Sequence, residues 1–211
     1  MDTFLKPGNT VLFQGDSVTD CERNRRTGDL GIGYASMVAR RFTQLFPKVN
    51  ITWTNRGVSG DRSVDVLNRY EQDIRAVKPD LISLLIGIND TWRRYDEGNL
   101  MSAQRFEEHY REILTRISSD FPACRILMME PFLLNSLPDR AQWREDLDPK
   151  IQVVRNLAQE FADFYIPLDG LFAQATVEGF TSAQLAEDGV HPTRAGHSLI
   201  AEAYFQKLVQ R

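Results

Sequence analysis

The chain has only two cysteines in 211 residues, Cys21 and Cys124, and they form no CxxC pair. That argues against a disulfide framework and against a paired-thiolate metal or redox centre. Its three histidines, His109, His191 and His197, make no H-x-x-x-H pair, so no metal site is expected. No apolar run is long enough to span a bilayer. The start, "MDTFLKPGNT", lacks the basic-then-apolar pattern of a signal peptide. A cytoplasmic protein without a membrane partner is the expectation. Basic residues are also in deficit, with 25 Lys and Arg against 29 Asp and Glu and a net charge of −4, which argues against nucleic acid as a partner. There is no G-x-S-x-G, no Walker loop and no G-x-G-x-x-G. Internal repeats and low-complexity linkers are absent too, which predicts one domain over 1–211.

What is present is an alternation of strand-like and helical patterns. "TVLFQG" (10–15), "ITWTNRG" (51–57), "LISLLIG" (81–87), "RILMMEP" (125–131) and "FYIPLD" (164–169) read as strands. Helical spacing separates them at 34–46, 63–77, 102–119 and about 142–163, and a last helix runs from a Thr193 cap to Gln210. The near-continuous apolar run 81–87 suits a central parallel strand buried on both faces. Pro167 marks its strand as an edge. Five β-α units predict an α/β three-layer sandwich of the flavodoxin-like kind, a five-stranded parallel sheet with helices on both faces.

In such sheets ligands bind at the carboxyl ends of the strands. The loops at Ser17, at Gly57 to Asp61, at Gly87 to Asp90 and at Asp188 to His191 are therefore expected to meet at one edge. A serine hydroxyl needs a base to take its proton, a carboxylate to orient that base, and donors to receive an oxyanion. Asp188 and His191 are three residues apart, so one turn can bring them together. The N–H of Ser17, a glycine N–H of the second loop and the amide of Asn89 can serve as donors. Each piece has a plainer reading. Gly15-Asp16-Ser17 can be an ordinary turn, and Asn89 or Asp90 can cap a helix. Asp16 is expected to brace its own loop, Cys21 to be a small buried residue near the site, and His197 to be structural.

"GDSVTD", "NRGVSGD", "GIND" and "DGVHP" occur in the order of the SGNH hydrolases, a branch of the GDSL esterases and lipases, which the chain resembles over most of its length. That resemblance implies a serine esterase with Ser17 as nucleophile, Asp188 and His191 completing a triad, and Ser17, Gly60 and Asn89 forming the oxyanion hole. It selects Gly60 over Gly57, which spacing alone leaves open. "TDCER" and "LLIGINDTWRRYD" are similar to bacterial acetylxylan esterases and carbohydrate deacetylases. The implied substrate is an acetylated xylo-oligosaccharide or another small ester, the implied cofactor none, and the implied assembly a homo-oligomer. Where that subgroup has an aromatic residue just before the triad Asp, Ala186 and Glu187 stand here, which implies a differently shaped pocket. Trp92, Arg93 and Tyr95 are candidate substrate contacts, through ring stacking and hydroxyl binding; helix packing or a subunit contact is the plainer reading of the two aromatics. The polar segments 25–33 and 91–99 offer little to line an acyl channel. Two alternatives stand beside the deacetylase: a short-chain esterase or lysophospholipase, and a non-catalytic ligand-binding or scaffold protein.

Overall fold

The computed structural model describes residues 2–210. A two-residue strand β1 (Asp2–Thr3) leads to β2 (Thr10–Gly15), a one-turn helix α1 (Ser17–Asp20) and helix α2 (Tyr34–Leu45). Strand β3 (Thr52–Asn55) and helix α3 (Ser63–Asn68) follow, then β4 (Leu81–Leu85) with α4 (Ile88–Asp96) and α5 (Ala103–Asp120). Next come β5 (Arg125–Met129), α6 (Arg140–Phe161), β6 (Phe164–Ile166), α7 (Leu168–Val177), α8 (Ser182–Leu185), α9 (Arg194–Leu208) and β7 (Val209–Gln210). Strands β2 to β6 form one parallel sheet in the order β3-β2-β4-β5-β6. The apolar run 81–87 thus supplies the central strand, and the strand before Pro167 lies at an edge, as expected.

Alternation along each strand builds two cores. Val11 and Phe13 of β2 face one layer with Leu127 and Met129 of β5, covered by α2, α7 and α9. Leu12, Ile82, Leu84 and Met128 face the other layer, covered by α3, α5 and α6. Helix α5 buries Phe106, Tyr110, Ile113, Leu114 and Ile117, one stripe at helical spacing. Each such side chain contributes about 1.5–3 kcal/mol by leaving water. No described helix is long and apolar enough to cross a membrane.

Some elements differ from expectation. The segment expected as one helix over 63–77 is α3 followed by a π-helical stretch, Glu71–Arg75. Val66, Tyr70 and Ile74 are fully buried at four-residue steps. Those steps exceed the 3.6 residues of an α-turn, and a wider turn keeps all three facing the sheet. Helix α4 begins at the turn where a helix entry was the plainer reading, though with Gly87 rather than Asn89 or Asp90 before its first residue, and α7, behind Pro167, was not expected. The last helix stops at Leu208, because Val209 and Gln210 pair antiparallel with Thr3 and Asp2. Its cap is Thr193, whose hydroxyl accepts from the Gly196 N–H.

Candidate active site

The site grows from the exit of β2. Asp16 caps α1 by accepting from the Val18 N–H at 3.0 Å, so Asp16 does brace its own loop. This puts Ser17 at the first helical position with its hydroxyl in a cleft of about 430 Å3. The cleft is also lined by Gly60, Asn89, Trp92, Arg93 and His191. The convergence of four loops at the carboxyl edge of the sheet is therefore realised.

Ser17 Oγ lies 2.9 Å from His191 Nε2, and His191 Nδ1 lies 2.6 Å from Asp188 Oδ2. The other carboxylate oxygen of Asp188 accepts from the backbone N–H groups of Val190 and His191 at 2.9 and 2.8 Å. Burial pushes the Asp188 carboxyl up. The three hydrogen bonds outweigh it and hold the group well below the usual carboxylate range. The bond to Asp188 raises the His191 imidazole above its ordinary value, against its partial desolvation. An imidazole with its Nδ1 proton fixed on a carboxylate presents Nε2 as the acceptor for the serine proton.

The residues that hold the Asp188 loop were not foreseen. Gly189 has φ +85°, and a Cβ there would sit 2.3 Å from the Leu134 carbonyl oxygen. The Leu134 N–H donates to the Gly189 carbonyl at 2.9 Å, and Ser136 Oγ to the Ala186 carbonyl at 2.5 Å. Arg140, almost fully buried, donates its Nε–H to the Asp188 carbonyl at 2.7 Å and lies 4.0 Å over the Trp143 ring. All three anchors come from the segment after β5, about 50 residues away in sequence, and no local pattern marks them. Ala186 is buried and Glu187 exposed; neither lines the cleft.

The candidate donors have different surroundings. Gly57 does not line the cleft: its N–H donates to Asn55 Oδ1 at 2.9 Å, and a Cβ there would meet the Asp20 nitrogen at 2.5 Å. Gly60 lines the cleft with φ +88°, and open space surrounds its Cα. Neither the Ser17 nor the Gly60 N–H donates to another group among the described residues. Asn89 Nδ2 gives one hydrogen to the Asp61 carbonyl at 3.0 Å, leaving its second hydrogen available at the cleft wall. Asp90 does not cap its own helix. Its buried carboxylate accepts from the Ser63 N–H at 2.9 Å and the Ser63 hydroxyl at 2.6 Å. The second and third loops are thereby tied together just after Gly60, at Asp61 and Ser63. Burial raises the Asp90 carboxyl to about 6 and that of Asp16 to about 7.

Trp92 lies with its ring centroid 5.8 Å from His191 and 5.3 Å from Trp143. Arg93 lines the cleft while pairing with Asp96. Tyr95 is not brought to the cleft. Its ring stacks on Trp143 at 5.2 Å and its hydroxyl donates to the Gln142 carbonyl at 2.9 Å, which fixes α4 on α6. His197 is buried and accepts from the Tyr34 N–H through Nδ1 at 3.2 Å, so its Nε2 proton faces Cys21 Sγ at 3.2 Å. Burial drives its imidazole down to about 4, and the Cys21 thiol up. Cys21 is only half-buried and, with His197, forms part of the cleft wall. Among the described residues no three His, Cys, Asp or Glu side chains gather as metal ligands would.

Comparison with known proteins accords with this geometry. Residues 13–199 match the GDSL-like lipase/acylhydrolase family. An acetylxylan esterase of Geobacillus stearothermophilus is 32% identical over 208 residues, covering 95% of this chain and 94% of that protein. A crystal structure of an acetylxylan esterase from Geobacillus stearothermophilus superposes with a TM-score of 0.88 at 30% identity, covering 98% of this chain and 97% of the other. A Parabacteroides merdae protein assigned as a GDSL-like lipase superposes at 0.91 with 29% identity, covering 98% of each chain. The chain belongs to the GDSL-like lipase/acylhydrolase family and is a serine ester hydrolase.

Proposed function

We propose that this hydrolase removes acetyl groups from xylo-oligosaccharides through an acyl-enzyme on Ser17, within one domain spanning 1–211. The observation that carries the reading is the continuous relay Ser17 Oγ to His191 Nε2 at 2.9 Å and His191 Nδ1 to Asp188 Oδ2 at 2.6 Å. Similarity to acetylxylan esterases supports the substrate class. In this reading Ser17 Oγ attacks the acetyl carbonyl carbon as its proton passes to His191 Nε2. The carbonyl oxygen becomes an oxyanion facing the N–H groups of Ser17 and Gly60 and the free amide hydrogen of Asn89. Collapse breaks the bond to the sugar oxygen, which leaves with the proton from His191. Water, deprotonated by the same imidazole, then attacks the acyl carbon; acetate departs and Ser17 regains its proton.

Trp92, beside His191, offers a ring face for a sugar. Arg93 offers guanidinium donors for hydroxyls. Tyr95 acts through packing, since Trp143 occupies its ring. Val18 and Pro192 are the aliphatic residues lining the cleft, which suits an acetyl group better than a long acyl chain, where each buried CH2 would need about 0.8 kcal/mol of apolar contact. The test is acetate release from acetylated xylo-oligosaccharides alongside nitrophenyl esters of rising chain length. Acetate should be released, kcat/KM should fall from acetyl to octanoyl, and Ser17→Ala should lower kcat by at least ~10³-fold. A rising chain-length profile with no acetate from the sugars would instead place the enzyme among lipid esterases.

A further inference from the structure

The cleft does not end beside His191. A second cavity, of about 450 Å3, opens against it. Cys21, Glu22, Pro192 and His197 line both, so the two spaces share a wall. Position relative to the chemistry says which part of an ester reaches it. The departing alcohol must take its proton from His191 Nε2, so the alcohol side of the scissile bond faces that ring. Pro192 follows His191 directly and belongs to the shared wall. The second cavity therefore extends the leaving-group side of the cleft.

Its far side carries unbalanced positive charge. Arg40 of α2 and Arg194, the first residue of α9, both line it and are both exposed. Among the described residues neither guanidinium makes an ion pair, whereas the adjacent Arg41 pairs with Glu202. Glu22, exposed, is the one acid in the lining. His197 is neutral there. Ile32, 61% exposed, and Met37 line the same cavity and give it apolar surface of the kind that packs on the C–H face of a sugar ring. Guanidiniums without ion-pair partners in a cavity that also has apolar surface offer planar donors that match a carboxylate bidentately, the chemistry a carboxylate mounted on a sugar ring would use.

Resting on the deacetylase reading of the main cleft, we propose that the second cavity is a subsite for a uronic acid residue on the alcohol side of the ester, so that acidic acetylated oligosaccharides are preferred over neutral ones. The experiment titrates Ser17→Ala protein, which cannot turn over, by calorimetry. The two probes are an acetylated xylotetraose carrying one glucuronic acid branch and its unbranched counterpart. The branched sugar should bind about 10-fold tighter at low salt, and the margin should shrink toward parity in 0.5 M NaCl, as screening of a partly exposed ion pair requires. Adding Arg40→Gln and Arg194→Gln should abolish the margin. Equal affinity of the two sugars, or a margin unchanged by salt and by both substitutions, would overturn the proposal. Acetate release by the unsubstituted enzyme is read separately. Its failure would count against the deacetylase reading, while the titration still decides the subsite.

Discussion

Gly189 sits between the carboxylate and the imidazole of the relay, and Gly189→Ala is the substitution whose effect the structure defines most closely. An alanine there would hold φ near +85°, in the left-handed region, which costs roughly 1–2 kcal/mol for a residue with a Cβ. Its methyl would meet the Leu134 carbonyl oxygen at 2.3 Å, a backbone atom that cannot swing aside. Relieving that overlap costs about 1–3 kcal/mol. Moving the strand of chain apart also endangers the Leu134 N–H to Gly189 carbonyl bond, for about 1 kcal/mol. The sum, about 3–6 kcal/mol, exceeds what the neighbouring hydrogen bonds can resist, so the loop 186–191 moves. A shift of about 1 Å between base and nucleophile costs on the order of 10²-fold in rate. The expected outcome is a folded protein, less stable to urea by about 3 kcal/mol or more, with kcat on nitrophenyl acetate down at least ~10²-fold and KM changed much less. Gly170→Ala is the control. It lies in α7 with nothing within 4 Å of the added methyl, and should be neutral or stabilising by about 0.5–1 kcal/mol. A Gly189→Ala enzyme with kcat within threefold of the parent would refute the claim that this contact sets the position of Asp188 and His191.

Asn89→Ala should lower kcat by roughly 10²- to 10³-fold with a smaller change in KM, because the oxyanion exists only near the transition state; a change confined to KM would move Asn89 to ground-state binding. Activity should rise with pH through a His191 pKa above the ordinary histidine value, since the bond to Asp188 raises it and only the neutral ring accepts the serine proton. Asp16 also raises His191, so Asp16→Asn, which keeps an acceptor for the Val18 N–H, should shift the acid limb of kcat/KM to lower pH. In the folded state the Asp16 carboxyl titrates near 7, above its unfolded value, so its contribution to stability is full below about pH 4 and is lost as pH rises toward 7. Urea midpoints should therefore show the Asn variant gaining on the parent across that window, and parallel curves would contradict this account. Light scattering at micromolar concentration should give a dimer or larger, with Val177 and Phe180, 87% and 48% exposed, as candidate contacts; a monomer mass would remove that expectation.

Periodicity along the chain determined the strands, most of the helices and the meeting of four polar loops at one sheet edge. It also placed Asp188 and His191 within one turn, because a three-residue spacing constrains side-chain approach whatever the fold. Ser17 as a first helical residue follows from the Asp16 cap, again a local matter. Other features depended on groups far apart in sequence. The Gly57 backbone is packed against the Asp20 nitrogen, the Tyr95 ring is taken by Trp143, and Asp90 serves the start of α3 instead of its own helix. Arg140 reaches the Asp188 carbonyl from 48 residues away, and α2 and α9 together wall the second cavity. Chain geometry dictates what neighbours within a turn can touch. Which side chains meet across a sheet, and which N–H groups are left unbonded to face a substrate, is decided only when the packed layers bring distant segments into contact.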